Sequence, residues 1–250
     1  MHEPGRVDTF ADAADRDEQS RLERLADASR YAEGLNTVTT RYSFRIFSRH
    51  MAGATILEMG AAEGVMTELL AATDRELTIV EAGAAFCRSL AQRFPGARVV
   101  HSLFEAFEPG RKFDNIVLGH VLEHVADAHA VVARAADWLL PGGRMLAAVP
   151  NARSLHRQAA VLMGLLRDER AMSEADRVHG HRRVFDPESF RECFIAAGLD
   201  IEIFGGYWLK PLSNGQIEQA WTTEMIEAFM RLGERYPDIA AEIYVVARRR

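Results

Sequence analysis

Short apolar runs alternate with amphipathic segments between residues 54 and 149, and this alternation most constrains the fold. The runs at 54–59, 77–81 and 113–119 are apolar along most of their length, and each is followed by apolar residues at helical spacing. Strands of this kind, separated by helices, form a parallel sheet that helices cover on both faces. The sequence therefore predicts an α/β fold whose crossover connections are right-handed.

The same patterns predict the individual elements. Strands are expected at 54–59, 77–81, 97–101, 113–119, 144–149, 200–208 and 240–247, and helices at 36–51, 65–72, 84–94, 127–140, 154–166, 187–197 and 218–233. Asn36 and Asp127 are expected to cap their helices, since their side-chain oxygens can accept hydrogen bonds from first-turn amides. The polar segment 167–185 is predicted to be a loop. Apolar spacing indicates one earlier helix, on Leu22, Leu25 and Ala26.

Composition excludes several classes of protein. The chain has 250 residues, 48% of them hydrophobic, which is enough for a core and excludes a disordered protein. A net charge of −6 disfavours a nucleic-acid or membrane-surface binder, and only Lys112 and Lys210 are lysines. The acidic N-terminus lacks the apolar region of a signal peptide, and two cysteines are too few for a disulfide framework. We therefore expect a soluble cytoplasmic protein with no membrane partner.

A loop after the first strand has the spacing of a ligand-binding turn. Ligands of open α/β sheets bind beyond the carboxyl ends of the strands, and Gly60 and Gly64 let the backbone turn tightly there. Glu81 ends the second strand, where a carboxylate can accept the hydroxyls of a ribose. A dinucleotide loop would need glycine at positions 62 and 65, where the chain has Ala62 and Val65.

These residues and three further segments resemble a known family. With Glu58 two residues before Gly60, the loop resembles motif I of the class I S-adenosylmethionine (SAM) methyltransferases. Residues 113–117 (FDNIV) and 139–143 (LLPGG) resemble the family's fourth strand and the turn before its fifth. Residues 122–127 (LEHVAD) are similar to the LEHxxD segment of ubiquinone-biosynthesis-type O-methyltransferases and related sugar and natural-product enzymes.

The resemblance implies a fold and a domain organisation. It implies a Rossmann-like, seven-stranded, mostly parallel sheet in the order 3-2-1-4-5-7-6, with the seventh strand antiparallel. A helical N-terminal cap would cover residues 1–52. The SAM-binding methyltransferase domain would cover 53–250, with lid insertions at about 151–185 and 211–236.

The resemblance also implies the cofactor, SAM, with S-adenosylhomocysteine as product, and the residues that bind it. Glu58, Gly60, Ala62 and Gly64 would line the methionine part of SAM. Glu81, beside Ala82, would hold the ribose, and Leu103 and Phe104 would flank the adenine. Gly119 and His120 would lie under the sulfonium. Ser102 departs from the family, because many relatives have an aspartate there.

Three histidines are candidates for the chemistry. Methyl transfer requires donor and acceptor to be aligned, and a hydroxyl acceptor must also lose its proton, for which histidine is suited. His124 is the first candidate for general base and His120 the second, while His181 is expected to meet His124 across the pocket. The alternative for His124 is a structural role that shapes the loop.

Two further hypotheses concern a metal and an anion. His120, Glu123 and His124 resemble the metal-binding Glu-x-x-Glu-His of the small-RNA 2′-O-methyltransferases, with His179 or His181 as a distant ligand; whether a metal binds stays open. The planar guanidinium of arginine can bind a carboxylate or phosphate through two hydrogen bonds. One interpretation of the lid arginines is therefore a clamp that binds such an anion, and the other is a solvated surface. These arginines are Arg153, Arg157, Arg182 and Arg183. Further candidate pocket residues are Tyr31, Asn36, Arg41, Tyr42, Tyr207, Trp208 and Lys210.

The expected function is methyl transfer from SAM to an oxygen, less favourably a nitrogen, of a small anionic or sugar-like metabolite. The expected partner is a small-molecule acceptor rather than a nucleic acid, and the expected state is a monomer or homodimer. The alternatives are an RNA 2′-O-methyltransferase with a metal site, an NAD(P) oxidoreductase on a similar sheet, and a catalytically silent SAM-binding regulator.

Overall fold

The computed structural model of the protein describes residues 18–21 and 32–250. Its seven strands are β1 (Thr55–Met59), β2 (Glu76–Glu81), β3 (Arg98–His101), β4 (Phe113–Gly119), β5 (Leu139–Pro150), β6 (Asp200–Tyr207) and β7 (Glu242–Arg248). They form one sheet in the order β3-β2-β1-β4-β5-β7-β6. Strands β1 to β5 pair in parallel, and β7 pairs antiparallel with both β5 and β6. The predicted fold class and strand order are confirmed.

Helices pack on both faces of this sheet. They are α1 (Gly34–Phe47), α2 (Val65–Ala71), α3 (Ala84–Arg93), α4 (Ala128–Asp137), α5 (Leu155–Leu162), α6 (Glu174–Val178), α7 (Pro187–Ala196), α8 (Asn214–Ala220) and α9 (Thr223–Gly233), with a 3₁₀ turn at Pro237–Ile239. One core places α4 and α7 against the sheet, and a second core places α1, α2, α3 and α9 against the other face. Burial on both faces explains why the strands are nearly continuous apolar runs.

Local capping explains where several helices begin. Asp127 accepts a hydrogen bond from the Ala130 amide at 3.0 Å, so it caps α4 as predicted. Asp186 and Ser189 form a capping box at the start of α7, and Pro187 occupies its first turn, where a missing amide proton costs nothing. The predicted Asn36 cap is wrong, because α1 begins at Gly34 and Asn36 lies inside the helix.

Tertiary pairing moved two predicted boundaries. The helix expected to reach residue 140 ends at Asp137, because Leu139 already pairs with Phe113 in the sheet. The segment Pro141-Gly142-Gly143 is therefore an irregularity within β5 rather than the turn that stops the helix, and the register shifts between Phe113 and Asn115 beside it.

Two other predictions needed subdivision. The segment 167–185 contains the short helix α6, which Ser173 and Asp176 start with a capping box. The single helix expected at 218–233 is two helices, α8 and α9, because Thr222 caps a new start by accepting from the Met225 amide.

The helix expected on Leu22, Leu25 and Ala26 lies outside the described residues, and the domain boundary at residue 52 stays a prediction. Over the part of the chain that the structure describes, no helix is long and apolar enough to cross a membrane.

Candidate functional site

One cavity of about 1410 Å³ opens at the carboxyl ends of the parallel strands. Its wall runs from the loop after β1, past the ends of β2 and β4, to the segment that follows β6. Pockets for a single drug-sized ligand hold about 300–1,000 Å³. The volume therefore leaves room for a cofactor and an acceptor side by side.

The loop after β1 is built from left-handed backbone. Gly60, Ala62 and Gly64 have φ values of 75°, 46° and 81°. A Cβ on Gly60 would lie 2.9 Å from Val121 Cγ2, so glycine is required there by both conformation and space. Ala62 occupies a conformation that costs an alanine free energy, and its amide is held by a hydrogen bond to Glu81 Oε2 at 3.0 Å.

Glu81 joins this loop to the end of β2. Its Oε1 accepts from the Gly83 amide at 2.7 Å while Oε2 accepts from Ala62. Burial raises the pKa of Glu81, and the backbone amides around the carboxylate oppose that rise without cancelling it. Each carboxylate oxygen keeps a second lone pair, so the side chain can still accept ribose hydroxyls.

Most of the sequence-predicted cofactor residues line the cavity. The structure brings together Gly60, Ala62, Gly64, Glu81, Ala82, Leu103, Phe104, Gly119 and His120. Ser102 is buried and donates to the Leu103 carbonyl. Gln19 donates to the Ala82 carbonyl at 2.5 Å, so the described N-terminal segment touches this end of the cavity.

Glu58 differs from the other predicted cofactor residues. It is 2% exposed, does not line the cavity, and accepts a hydrogen bond from Thr67 Oγ1 at 2.8 Å. Burial raises the pKa of Glu58 to about 8, so the carboxyl is protonated at neutral pH. Glu58 therefore lies behind the cavity wall, where its hydrogen bond with Thr67 joins β1 to α2, and the expectation that it lines the methionine part of SAM stays a prediction.

His120 lies at the centre of a buried polar cluster. It follows β4 with a φ of 58°, and its Nε2 lies 3.1 Å from Tyr207 Oη. Its Nδ1 lies 3.5 Å from Glu123 Oε1 and 3.7 Å from Glu242 Oε2. Burial opposes protonation of the ring, but the hydrogen bond with Glu123 and the charges of Glu242 and Glu123 outweigh it and raise the pKa of His120.

His124 and His181 meet across the cavity as expected. Their ring centroids are 4.7 Å apart with the rings edge to face. Burial is the main reason that the pKa of His124 is lowered to about 4, with the neighbouring His181 adding to the effect against the charge of Glu123. His124 is therefore neutral at pH 7 and a weak base.

Glu123, His124 and His181 each offer an atom within 4.8 Å of the others, an arrangement that could hold a metal ion. The predicted ligand His120 is not part of this group. Two imidazoles and one carboxylate are a donor set that suits a transition metal such as zinc.

Backbone hydrogen bonds hold the lid segment near residues 180–185 over these histidines. The Arg182 amide donates to the Glu123 carbonyl at 2.7 Å, and the Ala152 amide donates to the Phe185 carbonyl. Arg21 donates to the His124 carbonyl at 3.2 Å, so the described N-terminal segment reaches this end of the cavity as well. Residues 18–21 therefore span the cavity from Ala82 to His124.

Of the two interpretations of the lid arginines, the pairing of their side chains within the protein does not favour the anion clamp. Arg153 pairs with Glu188, and Arg182 pairs with Glu18. Arg183 donates to the Ala126 carbonyl. Arg157 lines the cavity, but its guanidinium is occupied by Asp176 and by the carbonyls of the loop 169–171.

Some of the remaining predicted pocket residues line the cavity and others do not. Asn36, Trp208 and Lys210 line the cavity. Tyr42 and Tyr207 stack on each other with centroids 5.5 Å apart and do not line it, and Arg41 is exposed beside Glu68. Tyr31 lies outside the described residues.

Glu242 and Asn214 are among the residues of the cavity wall that the sequence predictions did not name, and His156 also lines it. Glu242 carried a usable signal, because it is the one charged residue of the apolar run at 240–247. Asn214 carried none, since it lies in a polar stretch with no spacing motif, whereas His156 lies on the predicted helix 154–166 among arginines that were candidates to touch the substrate. His129, by contrast, is exposed and does not line the cavity.

The residues present fit SAM. Gly60 makes the tight left-handed turn after β1 where Val121 leaves no room for a Cβ, Glu81 lies at the end of β2, and Gly119 at the end of β4 lines the same cavity. A sheet of this order with this loop and carboxylate is that of a class I SAM-dependent methyltransferase. The sequence model of the family described as "Methyltransferase domain" matches residues 22–202, and the chain belongs to that family.

Known proteins agree with this assignment. The chain is 25% identical over 193 residues to a ubiquinone biosynthesis O-methyltransferase of Rhizobium etli (strain CIAT 652), covering 75% of each chain. A SAM-dependent methyltransferase structure from Mesorhizobium loti shares the fold with a TM-score of 0.61 and 15% identity, over 84% of this chain and 98% of that one. The glycopeptide N-methyltransferase MtfA, complexed with SAM, does so with a TM-score of 0.56 and 14% identity, over 85% of this chain and 94% of that one.

Proposed function

We propose that this methyltransferase acts on an oxygen of a small metabolite that binds on the His120 side of the cavity. The observation that carries the proposal is the continuity of the cavity, which joins the Glu81 end to the polar cluster around His120. The O-methyltransferase names of its sequence relatives support oxygen over nitrogen. A net charge of −6 disfavours a nucleic acid as the acceptor.

When bound, SAM supplies a methyl group activated by the positive charge of its sulfonium. The chain's own residues then have two tasks. Gly60 and Glu81 hold the cofactor at one end, and His120 takes the proton of the acceptor hydroxyl at the other. In this role His120 Nε2 donates its proton to Tyr207 Oη, which leaves Nδ1 to accept the proton of the hydroxyl, and Glu123 and Glu242 then stabilise the protonated imidazole. We propose His120 as the base in place of His124, whose pKa of about 4 makes it a poor proton acceptor.

Formation of S-adenosylhomocysteine from SAM with a panel of phenols, sugars and hydroxy acids tests this function. His120→Gln should lower kcat by about 100-fold, the usual share of a general base, while the exposed control His129→Gln leaves it unchanged. Calorimetry should show binding of SAM and none of NADH. Binding of NADH alone would overturn the cofactor assignment, and unchanged kcat in His120→Gln would overturn the role of His120. Failure of every acceptor together with SAM binding would favour the silent regulator.

The reaction is proposed to take place in the cytoplasm. Cys87 and Cys193 are both free and buried, which fits a reducing compartment.

One observation favours a second candidate, a metal-dependent RNA 2′-O-methyltransferase. It is the grouping of Glu123, His124 and His181 within reach of one ion. Removal of metal by a chelator should then abolish methylation of an RNA oligonucleotide, and added zinc or cobalt should restore it. A steep loss of activity with added salt would accompany it, because phosphate contacts release counterions. Full activity on small acceptors after chelation would exclude this candidate.

A further inference from the structure

Lys210 is a buried cation on the cavity wall that forms no ion pair with the residues that the structure describes. It lines the cavity and is 9% exposed. Its Nζ donates to Asn214 Oδ1 at 2.9 Å, a neutral acceptor, and lies 4.9 Å from the centre of the Trp208 ring. No carboxylate of residues 18–21 or 32–250 forms an ion pair with it. A buried charge of this kind is costly until an opposite charge joins it.

The groups beside Lys210 are mainly donors that lack partners. Trp208 is 1% exposed and lines the cavity, and its Nε1 has no hydrogen-bond acceptor within the described ranges. His156 Nδ1, on the same wall, also has no partner there. Burial lowers the pKa of His156 to about 3, so the ring is neutral and one of its nitrogens carries a proton to donate.

Trp208 is held in place by a backbone conformation that is unfavourable in free energy. Trp208 has a φ of 63°, a left-handed conformation that is unfavourable for a bulky residue. Its amide donates to the Met230 carbonyl at 3.1 Å, and its carbonyl accepts from the Ala241 amide at 2.7 Å. Gly233 leaves room for this turn, since a Cβ there would lie 2.2 Å from Trp208 N.

The nearby negative charges are already directed elsewhere. Glu242 Oε2 faces His120 Nδ1 at 3.7 Å. Asp176 accepts from Arg157 at 3.0 Å and from Ser173. Both act on Lys210 only at longer range. The wall around Lys210 therefore offers a positive charge and hydrogen-bond donors.

We infer that Lys210, with Trp208 and His156, forms an anion subsite that binds a carboxylate or phosphate group of the methyl acceptor. The inference rests on the proposed function and adds the class of acceptor: a small molecule with a hydroxyl at one end and an anionic group at the other. Glu242 lies between the two ends and faces His120, so the anion is directed to Lys210. The subsite would take the role that one interpretation of the sequence gave to the lid arginines.

The presence of only two lysines makes the test direct. Protein labelled with ¹³C at the lysine ε-carbons shows two side-chain lysine signals, which the variant Lys112→Met assigns. Lys112 is exposed and does not line the cavity, so it is the matched control. S-Adenosylhomocysteine is kept saturating throughout, so that the carboxylate of the cofactor cannot account for an effect.

Benzoate, phenyl phosphate and the neutral benzamide are then titrated. We expect benzoate or phenyl phosphate to move the Lys210 signal and not that of Lys112, at concentrations about tenfold or more below those at which benzamide acts. The anion that acts identifies carboxylate or phosphate as the group. Calorimetry should show about tenfold weaker anion binding in Lys210→Met and no change in Lys112→Met.

Equal effects of benzoate and benzamide, movement of both lysine signals together, or no movement at all would overturn the inference. The titration of the wild-type protein decides this even if Lys210→Met does not fold. Binding of S-adenosylhomocysteine is measured in the same samples. If S-adenosylhomocysteine binds and no anion has an effect, only the anion subsite is refuted. If S-adenosylhomocysteine does not bind, the proposed function is refuted.

Discussion

Replacing Glu58 by glutamine should change how stability depends on pH. The carboxyl is buried with a pKa of about 8, whereas in the unfolded chain, exposed to water, its pKa has the ordinary value of 4.5. Below pH 4.5 both states are protonated. Between the two pKa values the unfolded chain has lost the proton that the folded protein keeps, so stability is lost as pH rises. Glutamine keeps an oxygen for the Thr67 hydroxyl and does not titrate.

The magnitude follows from the two pKa values. Each pH unit between them costs the wild type about 1.4 kcal/mol relative to Glu58→Gln, and the whole interval costs about 5 kcal/mol. Urea unfolding followed by tryptophan fluorescence at about pH 5.5, 6.5 and 7.5 samples the interval, over which the difference in unfolding free energy should change by about 3 kcal/mol.

Glu192→Gln, at an exposed position, is the control and should follow the wild type at every pH. Parallel stability curves for wild type and Glu58→Gln would refute the reasoning. They would mean that Glu58 is ionised in the folded protein, and its place beneath the glycine loop would then need a positive partner.

Three further changes test the cofactor end and the frame that holds it. Glu81→Gln removes one of the two oxygens that accept from backbone amides, and it should weaken S-adenosylhomocysteine binding about tenfold or more by calorimetry, with folding retained. Gly60→Ala places a methyl 2.9 Å from Val121 Cγ2 at a positive φ, so unfolding should become easier by about 1–2 kcal/mol in urea; unchanged stability would contradict the assigned turn. Asp127→Ala removes the cap of α4 and should cost about 1 kcal/mol without altering cofactor affinity.

The fold was predictable because its signals are local and repeated. Each parallel strand is an apolar run, and Asp127 begins α4 by an interaction with a residue three positions away. The errors occur where a distant partner decides. Leu139 leaves the helix because Phe113 pairs with it, and no pattern near residue 139 reveals that pairing.

The site was predictable at one end only. Gly60 and Glu81 follow a spacing that has a direct physical reason, and the structure brings them to one cavity. His120, Tyr207 and Glu242 come from three separate parts of the chain and meet only in the folded sheet. The depth of Glu58 was equally hidden, because an acidic residue in a strand does not reveal whether it reaches solvent.

The position of β7 in the sheet means that the two halves of the cavity form at different stages of folding. Pro150 pairs with Glu242, and β6 joins the sheet only through β7, which is synthesised after it. Strands β1 to β5 can pair among themselves, while the second edge of β5 must wait for β7 far along the chain, a slower step because the loop to be closed is long. The nascent chain can therefore build the cofactor half during translation, and it acquires the acceptor half only when β7 has been made.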